Sequence, residues 1–379
     1  MNRKWSFLFS ILLPVGLVWW FLSDEKPKSQ PQNTTSVSSA LSGEQNLEGF
    51  QKAEKIRSFV FPKDHGPHPG FQTEWWYYTG NLNTEGGRHF GYQFTIFRRA
   101  LRPDETKGKS QWRNRQIYFA HLALTDVKEE RFFSRERYAR SGMNLAGAQS
   151  NPYRVWLEDW VVYEKSGHTI LEAADDRFSL RLKMKPLKKP VLQGNQGLSQ
   201  KSAGMGNASY YYSIPRLKSE GKITIDQAEF NVNGFSWLDR EWSTSALSKE
   251  QAGWDWFALQ WENGEEFMYY QLRLKDGSVD PVSSGVLIDK NGRPIRLKAG
   301  DVLIKVLDYW KSPETGHRYP SKWRFKISKN QFDFLIIPYQ NNQEHRHGFV
   351  YWEGAVKAES TGLKGVGYVE LTGYNDVFD

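Results

Sequence analysis

Short aromatic and β-branched runs, alternating at period two and broken by Gly, Asn, Asp or Pro, constrain this chain more than any other feature. In HFGYQFTIFR, Phe90, Tyr92, Phe94 and Ile96 fall on one face, as a half-buried strand requires. In QIYFAHLALTD, Tyr118, Ala120, Leu122 and Leu124 share a face, with Phe119, His121 and Ala123 opposite. Phe178, Leu180, Leu182 and Met184 alternate with Ser179, Arg181 and Lys183, and WDWFALQWENG, EFMYYQLRLKDG, KWRFKIS, FDFLIIP and GVGYVELTGY repeat the style. Beyond residue 22 no long apolar stripe at helical spacing is present. Many strands with turn residues between them predict an all-β chain of antiparallel barrels or sandwiches. A body of roughly 320 residues is large for one barrel, so two β domains are expected. The polar, small-residue stretch STSALSKEQAG, 243–253, is the expected break, giving domains at 56–245 and 246–379.

Aromatic residues make up 15% of the chain, a richness that points to strands and to an apolar binding surface. There is no cysteine, which excludes disulfides, thiolate metal sites and cysteine nucleophiles. The net charge of +8 is spread along the sequence, so no nucleic-acid partner is expected.

The N-terminus reads as targeting. Arg3 and Lys4 precede an uncharged stretch from Trp5 to Leu22 that ends in Trp19, Trp20, Phe21 and Leu22. As a helix it would reach about 27 Å, close to the hydrocarbon thickness of a bilayer. Basic residues before it and paired tryptophans near its far end fit a cytoplasmic N-terminus with the rest translocated. Residues 1–23 are therefore expected to be a membrane anchor. A cleaved signal peptide is the rival, although Ser23-Asp24-Glu25 is a poor cleavage site. Residues 24–55, rich in Ser, Gln, Asn, Thr and Lys, read as a flexible linker. The body is expected on the outer, periplasmic side of the cell envelope, tied to the membrane through its N-terminal segment.

Three clusters carry chemistry. The first, Asp64-His65-Gly-Pro-His68-Pro-Gly-Phe71-Gln-Thr-Glu74-Trp75-Trp76-Tyr77-Tyr78, sets two imidazoles and two carboxyls beside four consecutive aromatics. The second is Trp237-Leu-Asp239-Arg240-Glu241-Trp242, and the third is Trp254-Asp255-Trp256-Phe257. A carboxyl in an apolar pocket has its pKa raised and can donate a proton, and aromatic faces stabilise a cation. Asp239, Glu241 and Glu74 are candidate proton donors. Trp75, Trp76, Tyr77, Trp237, Trp242, Trp254 and Trp256 are candidate substrate-binding residues. His65 is placed at a barrel mouth as a general acid or base, since imidazole titrates near neutrality. His121, mid-strand, is either a core histidine bonded to a neighbouring strand or a pocket residue. His345 and His347 read as an exposed loop. His65 and His68 lie in a Pro/Gly turn without metalloprotease spacing, so no metal is expected. No GxSxG elbow, P-loop or dinucleotide fingerprint occurs, and no cofactor is expected.

HPGFQTEWWYYTGNL, FGYQFTIFR, FAHLALTD, LQGNQGLSQKS, SYYYSIPRL, WLDREWS and GWDWFALQW together resemble the AttH/CrtC family, from about Phe59 to near the C-terminus. That family groups lipocalin-like predicted secreted hydrolases with carotenoid 1,2-hydratases. The resemblance implies two tandem lipocalin-like β-barrels and chemistry on greasy, isoprenoid-like substrates. The hydratase branch places a His before a Trp, then a Tyr and an Asp further on. Here the stretch reads Arg240-Glu241-Trp242, with Tyr269 as the matching tyrosine. The histidine and second acid have no counterpart, so Asp239 or Glu241 would supply the proton.

Two functions remain open. One is an enzyme adding water to, or hydrolysing, a hydrophobic isoprenoid or lipid-like molecule by acid catalysis. The other is a non-catalytic carrier or chaperone of lipids at the membrane. A carboxyl facing a cavity favours the first. Carboxyls all paired with arginines outside any pocket favour the second.

Overall fold

Strands alternate their side chains between two faces, and here both faces of the longest central strands are apolar. Trp76, Tyr78 and Leu82 on one face of Thr73–Asn83 are buried, and so is Tyr77 on the other. A strand of that kind needs cover on both sides. The computed structural model describes residues 47–103, 115–244, 247–329 and 331–374, and it supplies that cover.

Two curled antiparallel sheets, a nearly closed barrel and a half-barrel, make up nearly all of it. The first sheet draws its strands from Thr73–Asn83 to Ala228–Ser243, and these two pair with each other in register from Thr73 opposite Ser243 to Asn83 opposite Asn233. The second draws its strands from Gln251–Trp261 to Leu363–Leu371, which likewise pair. The all-β, two-barrel expectation holds.

Each sheet fills its own interior. Trp76, Tyr78, Phe90, Tyr92, Phe94, Ile96, Tyr212 and Trp242 pack within the first. Phe257, Leu259, Trp261, Phe267, Tyr269, Trp323 and Phe325 pack within the second. A third apolar cluster lies between the sheets: Tyr77, Tyr211 and Trp237 of the first meet Trp256, Met268, Tyr270, Leu272 and Tyr368 of the second. The seam is tight in places. A Cβ on Gly91 would fall 2.4 Å from the Cβ of Ala355, so only glycine allows that approach.

Two expectations need correction. Residues 50–55, read as the end of a linker, pack on the first sheet: Phe50 and Ala53 are buried, Gln51 N–H donates to Gly70 O (2.9 Å), and Tyr210 O–H donates to Lys55 O (2.8 Å). His345 is not on an exposed loop; it is buried and stacked on Tyr351 with ring centroids 4.4 Å apart. The loop after Leu192 puts the short strand Leu198–Gln200 alongside Ala208–Ile225 and so carries Lys201 to the seam. The expected anchor lies outside the described residues. Among those described, no helix is long and apolar enough to cross a membrane.

Candidate active site at the seam

The cavity that combines aromatic walls with carboxyls sits between the two sheets rather than inside a barrel. It measures about 120 Å³. Strand parity decides its lining. In Ala228–Ser243, Trp237, Asp239, Glu241 and Ser243 point to the seam, while Leu238, Arg240 and Trp242 point into the first barrel. Trp75 and Tyr77 of the neighbouring strand face the cavity, and Trp76 and Tyr78 turn inward. From the second sheet come Trp254, Trp256, Tyr270, Leu272 and Glu370.

Asp239 is 3% exposed. It accepts hydrogen bonds from Trp237 Nε1 (2.6 Å), Ser213 Oγ (2.5 Å) and the Tyr211 hydroxyl. Gln193 Nε2 donates to Ser213 Oγ (2.9 Å), and Trp256 Nε1 donates to the Tyr211 oxygen (3.2 Å), so both flanking hydroxyls are themselves held. Burial pushes the Asp239 carboxyl up to about 7, against the pull of Ser213, Tyr211 and Trp237 and with help from the Glu241 charge. Glu370 is also pushed up to about 7, by burial first; Trp254 Nε1 donates to it (3.2 Å) and lowers it, while Asp239 and Glu241 raise it. Lys201 pairs with Glu241 at 2.9 Å and sits 4.3 Å from the centroid of Tyr270 and 5.0 Å from that of Tyr211. Although burial disfavours its ammonium, Glu241 and Tyr270 keep it charged. The site thus holds two carboxyls poised between acid and base at neutral pH, beside a fixed ion pair.

Of the expected site residues, Asp239, Glu241, Trp75, Tyr77, Trp254 and Trp256 line this cavity. Trp237 stands behind Asp239 as a hydrogen-bond donor. Glu74, Trp76, Trp242, His65, Tyr269 and His121 do not line it. Glu74 points into the first barrel, fully buried between Arg98 and Arg240. Against the push of burial, those guanidiniums hold its carboxyl well below the usual range, so it has no proton to give near neutrality. Trp242 is in the same interior, stacked on His68 at 3.7 Å, and Trp76 lies under the Arg240 guanidinium at 3.9 Å. His65 hydrogen-bonds the Tyr212 hydroxyl (2.6 Å) and is pushed down to about 4 by burial and by Arg240. Tyr269 fills the second barrel, and its chain neighbour Tyr270 takes the cavity position. His121 is a seam residue away from the cavity, sharing hydrogen bonds with Tyr351 of the second sheet (2.7 Å) and Glu136 (3.0 Å).

Sequence reasoning missed Lys201, Tyr211, Tyr270 and Glu370. Tyr211 and Tyr270 stand in the tyrosine runs SYYYSIP and MYYQ, where either face was available. Glu370 has no local signal, for it meets the other acids only through the pairing of sheets. Among the described residues no group of three His, Cys, Asp or Glu is placed to hold a metal ion.

Two curled lipocalin-like sheets clasping an acidic, aromatic cavity define the class. The chain belongs to the AttH-like family, whose model matches residues 52–374. A solved structure described as an AttH protein of Nitrosomonas europaea is 33% identical, with a TM-score of 0.78, covering 86% of this chain and all of that one. Kievitone hydratase of Nectria haematococca has a similar fold, with a TM-score of 0.64 over 86% of this chain and 97% of its own, at 14% identity. No curated protein matched the sequence.

Proposed function

We propose that this protein adds water across a carbon–carbon double bond of a compact apolar molecule in the seam cavity. What supports it is Asp239, a buried carboxyl that faces aromatic walls, is pushed up to about 7, and has no guanidinium or ammonium at ion-pair distance among the described residues. The neutral acid protonates one alkene carbon. Positive charge then appears on the other, beside Trp75, Trp254 and Trp256, whose rings favour a cation. Water bonds to that carbon, and ionised Glu370 takes the proton the water loses. Asp239 ends ionised and Glu370 neutral, and proton exchange between them restores the start. Two neighbouring carboxyls that oppose each other's ionisation can hold one proton between them and so divide these roles. A hydratase with a like fold fits this reading, although likeness at 14% identity speaks for fold alone.

The test is incubation with isoprenoid alkenes in ¹⁸O-labelled water, followed by mass spectrometry. Labelled alcohol should form, and Asp239→Asn should lower its rate by about two orders of magnitude or more, with the fold retained. Absence of label, together with an intact apolar molecule bound in native mass spectrometry, would favour the carrier. Export to the periplasmic side and anchoring through Trp5–Leu22 belong to this proposal as the setting in which the site works.

A further inference from the structure

The cavity contains three carboxyls and one ammonium. Lys201 is paired with Glu241, which leaves Asp239 and Glu370 with no basic side chain at ion-pair distance among the described residues. Lys201 also shows what the walls accept, because its ammonium already rests against the rings of Tyr211 and Tyr270. Asp239 and Glu370 share the lining with Trp75, Trp254 and Trp256, and among the described residues no cation rests over those three rings. Aromatic walls with uncompensated carboxyls are the setting in which a compact organic cation is held: the rings supply the quadrupole and the carboxyls the charge.

We infer that the cavity is a receptor for compact substituted ammonium ions, held between Asp239 and Glu370 and the Trp75, Trp254 and Trp256 side. The inference deepens the hydration reading, since a stable ammonium has the charge and shape of the cation formed on alkene protonation. It also stands without that reading, with a charge-bearing small molecule as the natural ligand. The groups that face the two carboxyls set the pH response. They are the Glu241–Lys201 ion pair, the phenols Tyr77, Tyr211 and Tyr270, and Glu353 behind Tyr77. Glu353 accepts from the Tyr77 hydroxyl and, held far above the usual range by burial and by Glu370, stays neutral. Asp239 and Glu370 are therefore the groups that change charge near neutrality.

Calorimetric titration of the wild-type protein with choline, and with its uncharged tert-butyl isostere, decides the matter. Choline should bind about tenfold more tightly than the isostere at pH 8.5, and should weaken by a similar factor at pH 5.5 as the carboxyls take up protons. The isostere should not respond to pH. Asp239→Asn and Glu370→Gln, checked for folding by circular dichroism, should each flatten the choline response. Should either variant fail to fold, the comparison of choline with its isostere on the wild type still decides. Equal binding of isostere and choline, or choline binding that does not strengthen as pH rises, overturns the inference. Choline binding without hydration of any alkene removes the enzyme reading and leaves the cation site standing; hydration without charge preference does the reverse.

Discussion

Asp239 and Glu74 are both buried carboxyls within strands, and their partners drive them apart. Glu74 has two guanidiniums and stays ionised; Asp239 has a hydroxyl, a phenol and an indole N–H, none of which offsets a full charge. The difference has a measurable sign. The folded-state value for Asp239 is about 7, above the ordinary carboxylate value, so the native state binds more protons than the unfolded chain between the two. Its contribution to stability is present in full below about pH 4 and is lost as pH rises through 7, a swing on the order of 4 kcal/mol. Asn does not titrate. The melting temperature of Asp239→Asn relative to wild type should therefore rise by several degrees from pH 5 to pH 8.5, as read by scanning calorimetry. A constant difference would mean that Asp239 is already ionised at low pH.

Alternation made the strands legible at the level of elements. Phe90, Tyr92, Phe94 and Ile96 were placed on one face by period two, and all four are buried in the first barrel. Alternation does not say which face is interior when both are apolar. Glu241 and Trp242, adjacent in sequence, were expected at one site; the pleat sends the first to the seam and the second into the barrel. The same ambiguity exchanged Tyr269 for Tyr270, and the seam itself, a contact between distant strands, left no mark on either sequence. The strand His89–Ala100 offers a test of how closely the sheets must approach. Gly91→Val would drive a branched side chain into Ala355 and force the sheets apart, at a cost of about 1–3 kcal/mol typical of overpacking. The variant should melt lower and bind choline more weakly, whereas Gly300→Ala, which meets nothing within 4 Å, should do neither.

Across the whole molecule the two sheets are joined by more than apolar contact. Asn81 Nδ2 donates to Gly367 O (3.0 Å), Gln260 Nε2 to Ser236 O (3.0 Å), and Thr125 Oγ1 to Gln343 Oε1 (2.7 Å). Arg216 of the first sheet and Lys188, in the segment after its strand Phe178–Pro186, both pair with buried Glu266 of the second sheet, at 2.6 Å each. Separating the sheets would leave that carboxylate and the seam aromatics exposed or unpaired, a loss of several kcal/mol for the ion pairs alone. Calorimetry on the intact protein should accordingly show one unfolding transition for both sheets; two well-separated peaks would show the junction to be loose. The cavity also has a place in time. Among the described strands, Trp75 belongs to the first, Thr73–Asn83, and Glu370 to the last, Leu363–Leu371. A nascent chain can close its first barrel around its own aromatics early, but it has no pocket to offer until that final strand arrives. Capture of the proposed ligand would therefore report that both sheets are complete, and a chain lacking that strand should not bind it.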